Sequence, residues 1–118
     1  MRPRHRYLAV RLVAVTNSLS EEAFREGLWQ QLQQLYGELG VSRIGFWIVI
    51  YDAASQASII RCQHDQVRAL RAALATVTGI RGVPLLLHVV GLSGTISKAK
   101  TLIPGLESYK GRSRRRPR

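Results

Sequence analysis

The sequence predicts a single α+β domain whose elements follow the order strand, helix, strand, strand, helix, strand. Three observations predict it: β-branched runs alternate with segments of helical spacing, glycine and polar turns separate them, and 118 residues suit one compact core. Hydrophobic residues make up 46% of the chain, so a core can form. No apolar run approaches the roughly 20 residues of a membrane span, and a membrane protein is not expected.

The first strand and the first helix are predicted in the N-terminal third of the chain. Residues 6–15 are rich in β-branched side chains, which favours a strand. Ser18 or Ser20 is expected to cap the helix that follows. The helix is predicted to stop at Gly40, after a core stripe at helical spacing that consists of Phe24, Leu28, Leu32, Leu35 and Leu39.

The remaining elements follow in the order hairpin, helix, strand. Residues 43–52 are the strongest predicted strand, and residues 57–62 are expected to pair with it as a hairpin. Residues 64–79 have helical spacing of their apolar side chains. Residues 83–90 form the predicted fourth strand, which Gly91 closes, and a short C-terminal helix is expected beyond it.

This order is the ferredoxin-like pattern shared by many RNA-recognition domains. It predicts a four-stranded antiparallel sheet with both helices on one face, an α/β sandwich. Alternation along the second strand directs Ile44, Phe46, Ile48 and Ile50 toward the helices and Gly45, Trp47, Val49 and Tyr51 away from them. The same rule assigns to the open face Tyr7, Arg11, Ala57, Ile59, Arg61, Leu86 and His88. Because that face is too apolar for water alone, either a partner or residues 95–109 should cover part of it.

The formal net charge of +11 is concentrated at the two ends of the chain. Residues 1–6 and residues 110–118 together hold +9, which leaves +2 for residues 7–109. Most of the cations are arginines, whose planar guanidinium binds phosphate in a bidentate manner. Solvated ends with no partner are the alternative, and binding to acidic lipid is less favoured because neither end is amphipathic. We therefore divide the chain into a basic arm (1–6), one domain (7–105) and a basic tail (106–118).

A glycine-rich segment follows the last predicted strand. In residues 91–100, a Gly-Ser-Gly turn precedes Thr95, which can cap a short helix, and backbone N–H groups with Lys98 and Lys100 could meet one phosphate. A purely structural turn is the equal alternative. The predicted RNA-binding residues are Arg2, Arg4, Arg6, Ser93, Gly94, Thr95, Lys98, Lys100, Lys110, Arg112, Arg114, Arg115 and Arg116.

The aromatic side chains favour a protein contact over base stacking. RNA-recognition domains stack bases on aromatics of the first and third strands, yet the third strand here has none and the first has only Tyr7. The aromatics lie instead on the second strand, an edge strand in the usual order of this fold. The predicted protein-partner residues are Trp47, Val49, Tyr51 and Ile59.

No catalytic or metal-binding residues are predicted. The single cysteine, Cys62, excludes an internal disulfide and fits a reducing intracellular compartment. His5, His64 and His88 are scattered, and the acids form no cluster for a metal-dependent nuclease. Phosphate-loop, dinucleotide and serine-hydrolase motifs are absent. If the protein takes part in catalysis, it is expected to assist another catalyst.

Several segments resemble the archaeal and eukaryotic ribonuclease P protein component 2 family. They include Arg-His-Arg-Tyr-Leu-Ala at residues 4–9, Ile-Arg-Cys at residues 60–62, and above all Val-Val-Gly-Leu-Ser-Gly-Thr-Ile at residues 89–96 with Ala99 and Lys100. The likeness spans roughly residues 3–103, so the tail lies outside it. The resemblance implies an RNA-recognition-like sandwich and a cytoplasmic, non-catalytic subunit of the ribonucleoprotein that removes 5′ leaders from precursor tRNA.

The resemblance also implies the partners. In that family the RNA subunit performs the hydrolysis, Mg²⁺ is expected on the RNA, and the protein pairs with the barrel-shaped component 3 and acts beside other protein components. Two alternatives stay open: a free-standing RNA-binding module in RNA or ribosome assembly, and, less favoured, a metal-independent nuclease.

Overall fold

The computed structural model describes residues 4–15, 19–106 and 109. These residues form β1 (His5–Ala14), α1 (Glu21–Ile44), β2 (Trp47–Asp52), β3 (Ala57–Gln63), α2 (Val67–Ala75), β4 (Gly79–Ile80), β5 (Val83–Ser93) and α3 (Ile96–Lys100). The strands pair antiparallel in the order β2-β3-β1-β5-β4. The α+β class is confirmed. The prediction of four strands is wrong, because the two-residue β4 pairs with the start of β5 as a fifth.

The start of α1 is set by a serine cap. The Ser20 hydroxyl oxygen accepts a hydrogen bond of 3.1 Å from the Ala23 backbone N–H, which satisfies one of the free donors in the first helical turn. Ser20 is therefore the cap, and the other predicted candidate, Ser18, lies outside the described residues.

The end of α1 differs from the prediction because of a kink. Gly37 has φ 71° and ψ 177°, a backbone conformation that residues other than glycine rarely adopt. The helix resumes beyond Gly37 and continues as far as Ile44. The predicted stripe is already exposed at Leu35, before the kink, and different residues face the core beyond it. Leu35 and Leu39 are 45% and 77% exposed, whereas Val41 and Ile44 are buried. The predicted stripe therefore holds only as far as Leu32.

The main core lies between the sheet and helices α1 and α2. Along α2, Leu70 and Leu74 are buried and Arg68 and Arg71 are exposed, as the spacing predicts. The largest buried side chains of this layer are Leu8, Phe24, Leu28, Leu32, Ile44, Ile48, Ile60, Leu70 and Leu74. Burying one such side chain contributes about 1.5–3 kcal/mol relative to leaving it exposed.

A second, smaller core lies on the opposite face of the sheet. The C-terminal segment covers it with Ala99, Ile103 and Leu106, all of which are fully buried. Gly91 lets this segment approach closely, since a Cβ there would lie 2.8 Å from the Leu102 side chain. The expectation that residues 95–109 cover part of the open face is thus confirmed. The strand residues beneath the segment are Ala9, Val49, Ile50, Ala57 and Ile59.

A bulge in β2 reverses the predicted facing of two residues. The pairing of β2 with β3 shifts register between Ile48 and Ile50, which moves the later side chains to the other face. Ile50 therefore packs in the second core, and Tyr51 packs on the helix side. The Tyr51 ring lies 5.0 Å from that of Phe24, and its hydroxyl donates to the Leu19 carbonyl at 2.6 Å. No described helix is long and apolar enough to span a membrane.

Candidate nucleic-acid interface

The structure brings the N-terminal arm next to the glycine-rich turn. Tyr7 of β1 pairs with Ser93 of β5, so Arg6 lies at the same end of the sheet as the turn. Arg4 is exposed, and Arg6 is half-buried with one guanidinium N–H donating to the His5 carbonyl at 2.9 Å. Two segments predicted separately as RNA-binding are therefore neighbours.

The turn itself is built as a helix cap. The Ser93 hydroxyl accepts from the Thr95 N–H, and the Thr95 hydroxyl accepts from the Lys98 N–H, both at 3.2 Å. Two of the N–H groups expected to face a phosphate are thus satisfied inside the protein. Gly94 is exposed, and a Cβ at this position would meet no atom within 4 Å. The turn has a structural role in holding α3, and its contact with RNA stays a prediction.

The two lysines of α3 differ in their surroundings. Lys98 is exposed to solvent. The Lys100 ammonium donates to the Tyr109 carbonyl at 3.3 Å and is half-buried. Lys100 therefore ties Tyr109 to α3 within the C-terminal segment, which leaves Lys98 as the more accessible cation of the pair.

Six of the predicted RNA-binding residues lie outside the described residues. Their assignment still depends on charge and stays a prediction. They are Arg2, Lys110, Arg112, Arg114, Arg115 and Arg116.

The predicted protein-partner residues are divided by the fold. Val49 and Ile59 are buried beneath the C-terminal segment. Tyr51 faces the helices, so the expectation that it lies on the open face is wrong, because the bulge in β2 turns it to the other side. Trp47 alone of the four lines an open groove, of about 240 Å³, between the β2 edge and α1. The other side chains around this groove are Arg25, Glu26, Trp29, Phe46 and Ile48.

Trp47, which also packs against the second core, carries an unpaired donor. The Trp47 indole N–H is buried and has no hydrogen-bond acceptor within the part of the chain that the structure describes. A buried donor without an acceptor costs about 1–3 kcal/mol. Within the described sheet, β2 is also an edge strand, so its outer backbone groups have no neighbouring strand among the described residues. These properties suit a contact with another protein chain. Trp29 and Phe46 were missed from sequence, because only the packing of α1 against β2 brings them to Trp47.

The single cysteine does not have the environment of a catalytic nucleophile. Burial, helped by the Asp65 charge and opposed by that of Arg6, raises the pKa of the Cys62 thiol to about 11, so it stays protonated at neutral pH. Among the described residues, no three His, Cys, Asp or Glu side chains lie close enough to hold a metal ion.

Fold and charge together define a small α+β protein suited to a polyanion, with a separate edge groove suited to a protein. A family model described as the Rpp14/Pop5 family matches residues 6–103, and the chain belongs to that family.

Curated relatives agree with this membership. The "Ribonuclease P protein component 2" of Pyrococcus furiosus is 30% identical over 100 residues, covering 85% of this chain and 82% of the relative. The proteins of the same name from Thermococcus gammatolerans and Methanocaldococcus jannaschii are 32% and 30% identical, over 85% and 93% of this chain and 82% and 80% of theirs.

A solved structure supports the fold. A chain in the cryo-EM structure of yeast ribonuclease MRP matches with a TM-score of 0.66 at 15% identity, covering 80% of this chain and 77% of that chain. At this identity the likeness concerns the fold alone.

Proposed function

We infer that the chain is a protein subunit of a ribonucleoprotein ribonuclease of the ribonuclease P class, acting in the removal of 5′ leaders from precursor tRNA. The observation that carries this inference is the family match over residues 6–103, together with relatives named ribonuclease P protein component 2. The +11 net charge supports an RNA partner, because cationic side chains release counterions from phosphates on binding.

The proposed role is to support the catalytic RNA without performing the hydrolysis. The protonated Cys62 and the lack of a metal-ligand cluster among the described residues fit this role. Mg²⁺ is then held by the RNA, whose closely packed phosphates the protein helps to neutralise. A reducing compartment such as the cytoplasm fits the free, buried Cys62.

The proposed protein partner is ribonuclease P protein component 3, docked at the groove beside β2. The support is the exposed Trp29, the unpaired indole N–H of Trp47 and the free edge of β2. Aromatic side chains in such grooves are the residues that most often dominate binding energy at interfaces.

Reconstitution tests the proposed function. Precursor tRNA is incubated with the RNA subunit and the other proteins, with and without this chain. We expect omission to lower the cleavage rate by at least tenfold, and the isolated chain to cleave nothing. An unchanged rate would refute the assignment, and tight RNA binding by the isolated chain in that case would favour the free-standing RNA-binding module.

The partner groove is tested by co-purification with component 3. We expect Trp29→Ala combined with Trp47→Ala to abolish co-purification, while Leu39→Ala, which removes a 77% exposed side chain from the same helix, leaves it intact. Circular dichroism of each variant shows whether the fold is kept. Retained co-purification by the folded double variant would refute this docking site.

A further inference from the structure

One end of the domain gathers three separate segments of the chain. His5 at the start of β1 pairs with Gln63 at the end of β3, and the His64 N–H donates to the Arg4 carbonyl at 3.0 Å. A Cβ on Gly45 would lie 3.2 Å from the Gln63 side chain, so the end of α1 also meets the end of β3. Helix α2 begins four residues after Gln63, with the Gln66 N–H donating to the Gln63 carbonyl at 3.0 Å.

These segments carry a concentrated positive charge. We call the set Arg4, Arg6, Arg43, His64 and Arg68 the cationic end. All are exposed except the half-buried Arg6. In the described segments that form this end, residues 4–6, 41–46 and 61–68, Asp65 is the one carboxylate. Arg43 lies in the last turn of α1, where a cation also complements the helix dipole.

The other end of the same elements carries the opposite charge. We call Glu21, Glu22, Glu26 and Asp52 the acidic end. Burial together with the charges of Asp52 and Glu21 raises the pKa of Tyr109, so both of these carboxylates act on that residue. Glu22 and Glu26 follow Glu21 in the first two turns of α1. Two arginines there are already engaged: Arg25 lies 3.7 Å from Glu21, and Arg81 lies 2.6 Å from Glu26.

The two ends act separately on the surroundings. Strand β3 has seven residues and spans about 20 Å from one end to the other. That separation exceeds the Debye length of about 8 Å at physiological ionic strength, so Glu21, Glu22 and Asp52 do not cancel the field of the cationic end. Glu26 lines the groove beside Phe46, but its charge is already paired with Arg81. A polyanion is therefore attracted to one end of the domain and repelled from the other.

We propose that the cationic end docks the phosphate backbone of RNA, and that Arg43 and Arg68 are direct phosphate contacts beside Arg4. This proposal rests on the proposed function in taking RNA as the polyanion. Four arginines favour phosphate, since each guanidinium can donate two parallel hydrogen bonds to it. The contact is to the backbone, so it positions the RNA without reading its sequence.

The test compares two double variants with equal changes in net charge. Arg43→Gln with Arg68→Gln alters the cationic end, and Arg25→Gln with Arg81→Gln alters the acidic end, whose surface ion pairs contribute only about 0–1 kcal/mol each. The full-length chain is titrated with a fragment of a ribonuclease P RNA and with a short unrelated RNA duplex, over a range of salt concentrations.

We expect the cationic-end variant to reduce the slope of log affinity against log salt by about 1.4–1.8, the value for two lost phosphate contacts, with both RNAs. The acidic-end variant should leave the slope unchanged. Arg43→Lys with Arg68→Lys should restore the slope, because the charges return. Equal reductions in the two Gln variants would show a net-charge effect and overturn the proposal, as would an unchanged slope in the cationic-end variant.

A second variant at the same end guards against misfolding. If the first variant has a lowered unfolding temperature, Arg4→Gln, which alters an exposed residue outside the helices, is expected to lower the slope by about 0.7–0.9. The proposed function is tested independently, by the reconstitution assay, so a negative result there can be distinguished from a negative result in the salt titration. A chain dispensable for cleavage that still shows the expected slopes would keep this docking surface and lose the ribonuclease P assignment.

Discussion

The cationic and acidic ends of this domain are built from the same helices and strands and yet differ in almost every respect. At the cationic end, exposed arginines come together, and the segments that form it, residues 4–6, 41–46 and 61–68, hold one carboxylate, Asp65. At the acidic end, Arg25 and Arg81 are paired with glutamates, and the Tyr51 hydroxyl is bonded to Leu19. The cationic end thus leaves its charges available, whereas the acidic end uses much of its polar chemistry for internal contacts.

Because the two ends differ in this way, the net charge of the chain does not indicate which part of its surface binds RNA. Residues 7–109 are nearly neutral as a sum, yet the fold places Arg43 and Arg68 at the same end as Arg4 and Arg6 of the basic arm. The net charge of a segment of the chain does not show on which part of the surface the charges lie. The positions of the charged residues in the fold do show it, and they give the direction from which a polyanion is attracted.

The largest expected effect concerns the C-terminal segment that closes the second core. Leu106→Ala should lower the free energy of unfolding by about 2–5 kcal/mol, because Leu106 is fully buried and its removal leaves a cavity. Leu39→Ala, at an exposed position of α1, should change it by less than about 0.5 kcal/mol. Urea unfolding of both variants measures the difference, and equal midpoints would show that the segment does not pack as described.

The next prediction tests whether RNA affinity depends on the net charge of the chain or on the position of the charged residues in the fold. The quadruple variant Arg43→Gln, Arg68→Gln, Glu22→Gln and Glu26→Gln keeps the wild-type net charge but removes two predicted phosphate contacts. We expect RNA affinity to fall about 30-fold at physiological salt, as two lost contacts imply. Wild-type affinity in fluorescence anisotropy would mean that only the total charge matters.

A smaller effect tests how α1 and β3 join at the cationic end. Gly45 has φ 62°, and a Cβ there would also crowd Gln63. Gly45→Ala should therefore cost about 1–2 kcal/mol of stability from the left-handed backbone. Gly94→Ala, where a Cβ meets open space, is the matched control and should cost less. Thermal unfolding of the two variants compares them, and an equal loss would contradict the crowded junction.

The smallest expected effect concerns the pKa of the Cys62 thiol, which depends on its burial and on the nearby Arg6 charge. Its pKa is raised from 9.0 to about 11, so the protonated thiol stabilises the fold fully below pH 9 and that contribution is lost as the pH rises through 11. The free energy of unfolding should fall over this range more steeply in the wild type than in Cys62→Ala. Because the Arg6 charge lowers this pKa, Arg6→Gln should raise it further, which the Cβ chemical shift of Cys62 measures against pH. An unmoved titration would place Arg6 away from the thiol.

Local sequence patterns predicted most of the helix-side core. The helical spacing of Phe24, Leu28 and Leu32 depends on one element, and all three side chains are buried. The cap at Thr95 was predicted for the same reason, since its hydroxyl bonds within three residues. The errors arose where one residue changed the phase of a pattern. The bulge in β2 turned Tyr51 to the helix side of the sheet. Beyond the kink at Gly37, Val41 and Ile44 are buried in place of Leu39. Neither event has a periodic signal.

The α+β class, the order of the long elements, the basic ends and the resemblance to the ribonuclease P component 2 family could all be predicted from the sequence. Each of these features depends on the amino-acid composition or on residues that are neighbours in the chain. Only the tertiary structure decided the rest. It gathered Arg4, Arg43, His64 and Arg68 at one end, brought Trp29 to Trp47, and buried Ile59 under the C-terminal segment. Such neighbours are separated by tens of residues, so their proximity depends on strand register and helix packing, which no single stretch of sequence encodes.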